Sequence, residues 1–102
     1  MFKQVLEIDA DDLIANFGMG KALIDTGKPK EAVSYLEKCL EVKKDYSAAF
    51  LQLGIALMKS GDKAKARIIF KDGVNCALNN GDLMPKNEME HYLSELDTDK
   101  TV

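Results

Sequence analysis

The sequence predicts an all-α fold of stacked helical hairpins. Three observations predict it: an internal period of 34 residues, apolar residues at helical spacing within each period, and no stretch of strand-like alternation. Shifting the chain by 34 positions lays Gly20 on Gly54, Leu23 on Leu57, Gly27 on Gly61 and Ala32 on Ala66, with Ala15 on Ala49 and Ala22 on Ala56. The columns between them agree in kind: Met19 matches Leu53, Leu36 matches Phe70, Leu40 matches Val74 and Val42 matches Cys76. Phe2, Leu6 and Ile8 continue the Leu36, Leu40 and Val42 columns backwards. The expected organisation is one domain over 1–97: the end of a partial repeat at 1–12, repeats at 13–46 and 47–80, and a capping helix at 82–97, followed by a frayed tail at 98–102.

In residues 1–12, Phe2, Val5, Leu6 and Ile8 form a second-helix face without its first helix. In 13–46, two helices meet at Thr26-Gly27-Lys28-Pro29, where Pro29 suits a helix start because its missing N–H has no intrahelical partner to lose. In 47–80, Phe50, Leu53 and Leu57 carry the first helix, and Ser60-Gly61-Asp62 supplies a left-handed helix end and the next cap. Ala66, Ile69, Phe70, Gly73, Val74 and Ala77 carry the second helix along one face. Gly20 and Gly54 are expected opposite Ala32 and Ala66, letting the paired backbones approach. Asn79-Asn80-Gly81-Asp82 then stops one helix and caps another, which places Met89, Tyr92, Leu93 and Leu96 on one face with Lys86, Glu90 and Glu95 outside it.

Composition narrows the function classes. The chain has 102 residues, 46% hydrophobic and 30% charged, so it can bury one core. A net charge of −3 argues against a nucleic-acid binder, which needs a basic footprint. No apolar run approaches the roughly 18–20 residues of a membrane span. Two unpaired cysteines and the lack of a charged-then-apolar leader fit a reducing cytoplasm.

Phe50-x2-Leu53-Gly54-x2-Leu57 followed by Ala66-x3-Phe70 resembles the tetratricopeptide repeat signature W-x2-L-G-x2-Y then A-x3-F. The first repeat is looser, with Asn16-x2-Met19-Gly20-x2-Leu23 and Ala32-x3-Leu36. Asn16 replaces the usual aromatic, and Lys44 and Leu78 stand where the family often closes with proline. The layout is similar to small bacterial proteins of this kind, although an excised fragment of a longer array and a chain that pairs through its unpartnered end fit as well.

The resemblance implies a helical-hairpin solenoid whose first helices line a concave groove. It implies a non-enzymatic interaction module or scaffold that binds a protein or peptide partner there. The groove set is then Ile14, Phe17, Lys21 and Ile24 from the first repeat and Ala48, Leu51, Ile55 and Met58 from the second, with Gln52 and Lys59 near the edge. Such a set reads either as a docking groove or as core, if Met89, Tyr92 and Leu93 fold over it. Part of the family clamps chaperone carboxylates with lysine and asparagine; here Lys21 is the one cation near the groove centre, too few for that clamp. The alternative function is structural, a homodimer or a stack on missing upstream repeats through Phe2, Val5 and Leu6.

Catalysis, cofactors and metals are not expected. Cys39 and Cys76 fall in apolar columns and read as buried thiols. Glu88, His91 and Glu95 share one stripe, but a di-metal bundle needs two such motifs and the chain has one. Gly18 and Gly20 lie inside a helix, not in a phosphate loop.

Overall fold

A computed structural model describes residues 1–99. Among them run six α-helices and no strand: α1 (Phe2–Ile8), α2 (Leu13–Asp25), α3 (Pro29–Val42), α4 (Ser47–Lys59), α5 (Lys63–Asn80) and α6 (Leu83–Asp99). Each helix packs on the next, so α2 pairs with α3 and α4 with α5 as antiparallel hairpins, with α1 before them and α6 after. The stack measures 46 × 30 × 18 Å.

The turns inside the hairpins follow from their glycines. Gly27 and Gly61 take φ values of 81° and 96°, which side chains with a Cβ rarely adopt. That geometry returns the next two N–H groups to the helix just ended. Lys28 N donates to Leu23 O at 2.7 Å and Gly27 N to Ile24 O at 3.1 Å; Asp62 N and Gly61 N do the same to Leu57 O and Met58 O. Pro29 begins α3, and the Asp62 carboxylate accepts from Lys65 N at 3.1 Å to begin α5. The 34-residue frame slips after the second hairpin. α3 stops at Val42, whereas α5 runs on to Asn80 and ends at Gly81, φ 74°, so α5 has 18 residues against 14 in α3.

Packing rests on large side chains laid over glycines. A Cβ on Gly20 would sit 2.6 Å from Leu36, and one on Gly54 would run into the Phe70 ring. The side chains nearest these glycines are therefore Leu36 and Phe70, one helical turn beyond the expected Ala32 and Ala66; both alanines are also fully buried. Gly18 takes the ring of Phe2 in the same way, and Gly73 takes Met89. Phe70, Leu36, Leu53, Met89 and Cys39 form the fully buried centre.

Asn16, which departs from the aromatic of the repeat signature, is 3% exposed and ties the α1–α2 connection. Its Nδ2 donates to Ala10 O at 3.0 Å and to Asp12 O at 2.9 Å. At the other end of the stack, Tyr92 stacks on Phe70 with centroids 5.3 Å apart. Arg67 Nη2 donates to Leu96 O at 3.0 Å, with Nε 3.2 Å from Asp97 Oδ1. A cation there complements the negative end of the α6 dipole. α6 continues through Thr98 to Asp99, past the stop expected after Asp97, and the rest of the expected tail lies outside the described residues.

These contacts predict that Gly54→Ala destabilises the fold despite alanine's better helix propensity. Overpacking costs about 1–3 kcal/mol against about 1 kcal/mol gained from propensity. The net loss will appear as a lower denaturation midpoint with an unchanged m-value. A midpoint equal to or above that of the parent would mean that the Phe70 ring has room to move.

Candidate functional site

The first helices α2 and α4 lie side by side, and the groove residues expected from the sequence fall into two groups on them. Ile24, Leu51 and Ile55 are 6%, 7% and 9% exposed and belong to the same apolar core as Leu36 and Phe70. Phe17 and Met58 pack against that core half-buried, and Ala48 and Gln52 are half-buried as well. Ile14, at 76% exposure, Lys21 and Lys59 are open to solvent. The face therefore has a closed apolar floor and an accessible rim. Met89, Tyr92 and Leu93, named in sequence as a possible cover, join the same apolar core as Leu51 and Ile55: Met89 lies over Gly73, Tyr92 stacks on Phe70, and α6 also packs on α4.

Tyr46, in the connection before α4, closes one end of the face. Its ring lies 5.3 Å from that of Phe17, tilted by 36°, and burial pushes its hydroxyl pKa up, with the nearby Cys39 adding to the shift. Behind it is a polar network that the repeat pattern gave no means of finding. Ser47 is 3% exposed; its hydroxyl donates to Asp82 Oδ2 at 2.8 Å and accepts from Asn80 Nδ2 at 3.1 Å. Asn80 Nδ2 also donates to Asp45 O at 2.7 Å. The N-cap residue of α4, Tyr46, makes no side-chain cap bond, and the Asp82 carboxylate brings negative charge to that helix start. Asp82 was legible as a cap at its own position, but its partner lies 35 residues away in sequence.

The residues proposed for self-association behave differently from one another. Phe2 inserts against Gly18, so the ring that lacks its own first helix is taken up by α2 instead. Phe2, Val5 and Leu6 are all half-buried, while Met1 and Ile8 are 89% and 91% exposed.

His91 Nε2 lies 2.9 Å from Glu95 Oε1 on the open surface of α6, and among the described residues no group of three metal-type ligands converges. Cys39 is fully buried, its Sγ donating to Leu13 O at 3.8 Å, and burial pushes its pKa up to about 11, an effect its own backbone N–H partly offsets. Cys76 departs from the buried apolar setting expected for it: it is half-buried, 3.8 Å from Ser47 Oγ and 3.6 Å from Asn80 Nδ2. The extra turn of α5 carries Asn80 over it. No helix among the described residues is long and apolar enough to cross a membrane.

Comparison with known proteins agrees with the geometry. The tetratricopeptide repeat family model matches residues 23–83. The chain is 33% identical over 99 residues to a TPR repeat-containing protein of Pseudomonas aeruginosa, an alignment covering 97% of this chain and 94% of that one. It is 36% identical over 70 residues to DnaJ homolog subfamily C member 3 of Rattus norvegicus, covering 69% of this chain but 14% of that relative. Among solved structures, a Bordetella parapertussis protein superposes with a TM-score of 0.84 at 26% identity, over 96% of this chain and 85% of the other. A double mutant of MamA superposes with a TM-score of 0.70 at 18% identity, over 97% of this chain and 64% of the other, a likeness of fold alone.

The two thiols are expected to differ in reactivity. At pH 8 an alkylating reagent will modify Cys76 in the folded protein and leave Cys39 untouched until denaturant is added, as peptide mass mapping will show. The folded Cys39 thiol ionises at a higher pH than the unfolded one. Its contribution to stability is therefore complete below the ordinary value of 9.0 and falls away as the pH rises through about 11. Equal labelling of both cysteines in the native state would contradict the buried placement of Cys39.

Proposed function

The chain belongs to the tetratricopeptide repeat family, and from that premise we propose that it takes a peptide or helix of a protein partner along the face shared by α2 and α4. Tetratricopeptide repeats generally mediate protein–protein contact, which is what supports a non-enzymatic role. The observation that carries the reading is the accessible rim over an apolar floor. Ile14, Phe17, Lys21, Gln52, Met58 and Lys59 present reachable side chains around Ile24, Leu51 and Ile55, which are too enclosed to be anchors themselves. Binding energy would come from apolar contact with Ile14, Phe17 and Met58, at about 25 cal/mol per Å2 buried, with Lys21 and Lys59 setting orientation. The floor serves as a rigid backing, which reduces the ordering cost of docking.

A second reading, self-association, is favoured by the exposure of Met1 and Ile8 beside the half-buried Phe2, Val5 and Leu6. Its area is small, because α1 has only seven residues. A stable interface buries about 1,200–2,000 Å2 in total, more than one such helix supplies.

Two measurements separate the readings. A photo-crosslinking residue placed at Lys21 or Lys59 in cells is expected to trap protein partners that the same residue at Asp72, exposed on α5, does not. Adding Ile14→Glu should reduce those adducts about tenfold, the effect of losing roughly 1.4 kcal/mol. Equal trapping from α5, or none from the rim, would remove the groove reading. Light scattering after size exclusion that returns twice the 11.3 kDa chain mass, and the monomer mass for Ile8→Glu, would put self-association first.

A further inference from the structure

The antiparallel stack has two long edges, and they differ in chemistry. One edge collects the ends of α1, α3 and α5 and the starts of α2, α4 and α6, because the connections 9–12, 43–46 and 81–82 all lie there. Two of these connections are tied together directly, by Asn80 to Asp45 O and by Ser47 to Asp82. The third is tied to α3 by Lys38 and Asp11, 3.3 Å apart. The opposite edge holds the turns inside the hairpins.

Eight large apolar residues are exposed among the described residues, and six of them are at the first edge. They are Ile8 at 91%, Ile14 at 76%, Val42 at 46%, Leu78 at 51%, Leu83 at 62% and Met84 at 76%. They stand on three successive connections of one edge, within reach of a docked helix, whereas the other two exposed large apolar residues, Met1 and Ile68, lie away from it. Between the six edge residues stand Asp9, Asp11, Asp12, Asp45 and Asp82 against Lys43, which lies 3.7 Å from Asp45, Lys44, and Lys38 reaching Asp11 from α3, so five acidic groups face three lysines. The turns at the other edge, 26–30 and 59–65, carry five lysines and one aspartate. The apolar edge also has relief. Lys43, Asp45, Tyr46, Ala48, Asp82 and Pro85 line an open depression of about 600 Å3, with the buried Ser47 hydroxyl fixing the Asp82 carboxylate on its wall.

We propose that this edge is a second docking surface, independent of the α2–α4 face except where Ile14 is shared, for a helix that presents apolar side chains flanked by lysine or arginine. Charge selects the occupant. The same acidic excess opposes a second copy brought edge to edge and opposes an anionic lipid surface, whereas cations on a partner helix pair with Asp45 and Asp82. Helix dipoles do not reverse this preference, since three helix starts and three helix ends alternate along the edge and largely cancel.

The test uses defined probes. A synthetic amphipathic peptide of about 14 residues, leucine on one face and lysine on the other, is titrated into the 15N-labelled protein beside its leucine–glutamate counterpart. The lysine peptide is expected to bind and to shift the amides of 8–14, 42–47 and 78–85, and the glutamate peptide to leave them unmoved. The triple substitution Leu78→Ser, Leu83→Ser, Met84→Ser removes exposed side chains only, so circular dichroism should be preserved while affinity falls about tenfold or more. Asp45→Asn with Asp82→Asn should weaken binding and flatten its salt dependence, while Asp72→Asn with Asp25→Asn, equal in charge removed but away from the edge, should not. No binding, binding unaffected by the triple substitution, or shifts confined to the rest of the α2–α4 face would each overturn the proposal. So would a dimer that the triple substitution dissociates, because the occupant would then be a second copy.

Discussion

The contact between a bulky side chain and a glycine on the facing helix sets the spacing on which the rest of this molecule depends. Phe70 over Gly54 and Leu36 over Gly20 occupy, within each hairpin, the space that a Cβ on the facing helix would need. The same device extends outward, with Phe2 over Gly18 at the start of the stack and Met89 over Gly73 at its end. Close packing of this kind transmits geometry, because interiors at crystalline density leave a displaced ring no alternative place. The position of every first helix, and so of any face they share, is fixed by which glycine each large residue finds.

That constraint also explains why the α2–α4 face is shallow. With α2 and α6 drawn close on either side of α4, the residues that point from α4 between them lose their water, and Leu51 and Ile55 become core. Polar groups then finish what packing begins. Asn16 holds the connection into α2, and Ser47, Asn80 and Asp82 join the start of α4 to the turn after α5. Asn16 and Ser47 are buried and hydrogen-bonded, which is why they are tolerated inside a small fold, while Asn80 and Asp82 reach them from the exposed turn.

Two surfaces of this stack differ in chemistry. The α2–α4 face has a rigid apolar backing and a rim with Lys21 and Lys59, whereas the edge of helix starts and ends is apolar and acidic. The overall charge of −3 gives little hint of that separation.

The sequence by itself determined the helices, their hairpin pairing and the turns, because each is encoded locally. Gly27 and Gly61 are needed for a left-handed turn, Asp62 caps in place, and the apolar columns repeat at 34 residues whatever surrounds them. Burial on a shared face was not local. Ile14 and Ile55 lie on one shared face and read alike, yet one is 76% exposed and the other 9%: Ile14 sits in the first turn of α2, next to short α1, whereas Ile55 lies within α4, which also packs on α2 and α6. Cys76 read as core until the extra turn of α5 brought Asn80 over it, and Ser47 found Asp82 only once two connections met. The tertiary structure decided these points, since solvent exposure depends on the helices packed alongside and not on the helix that carries the residue.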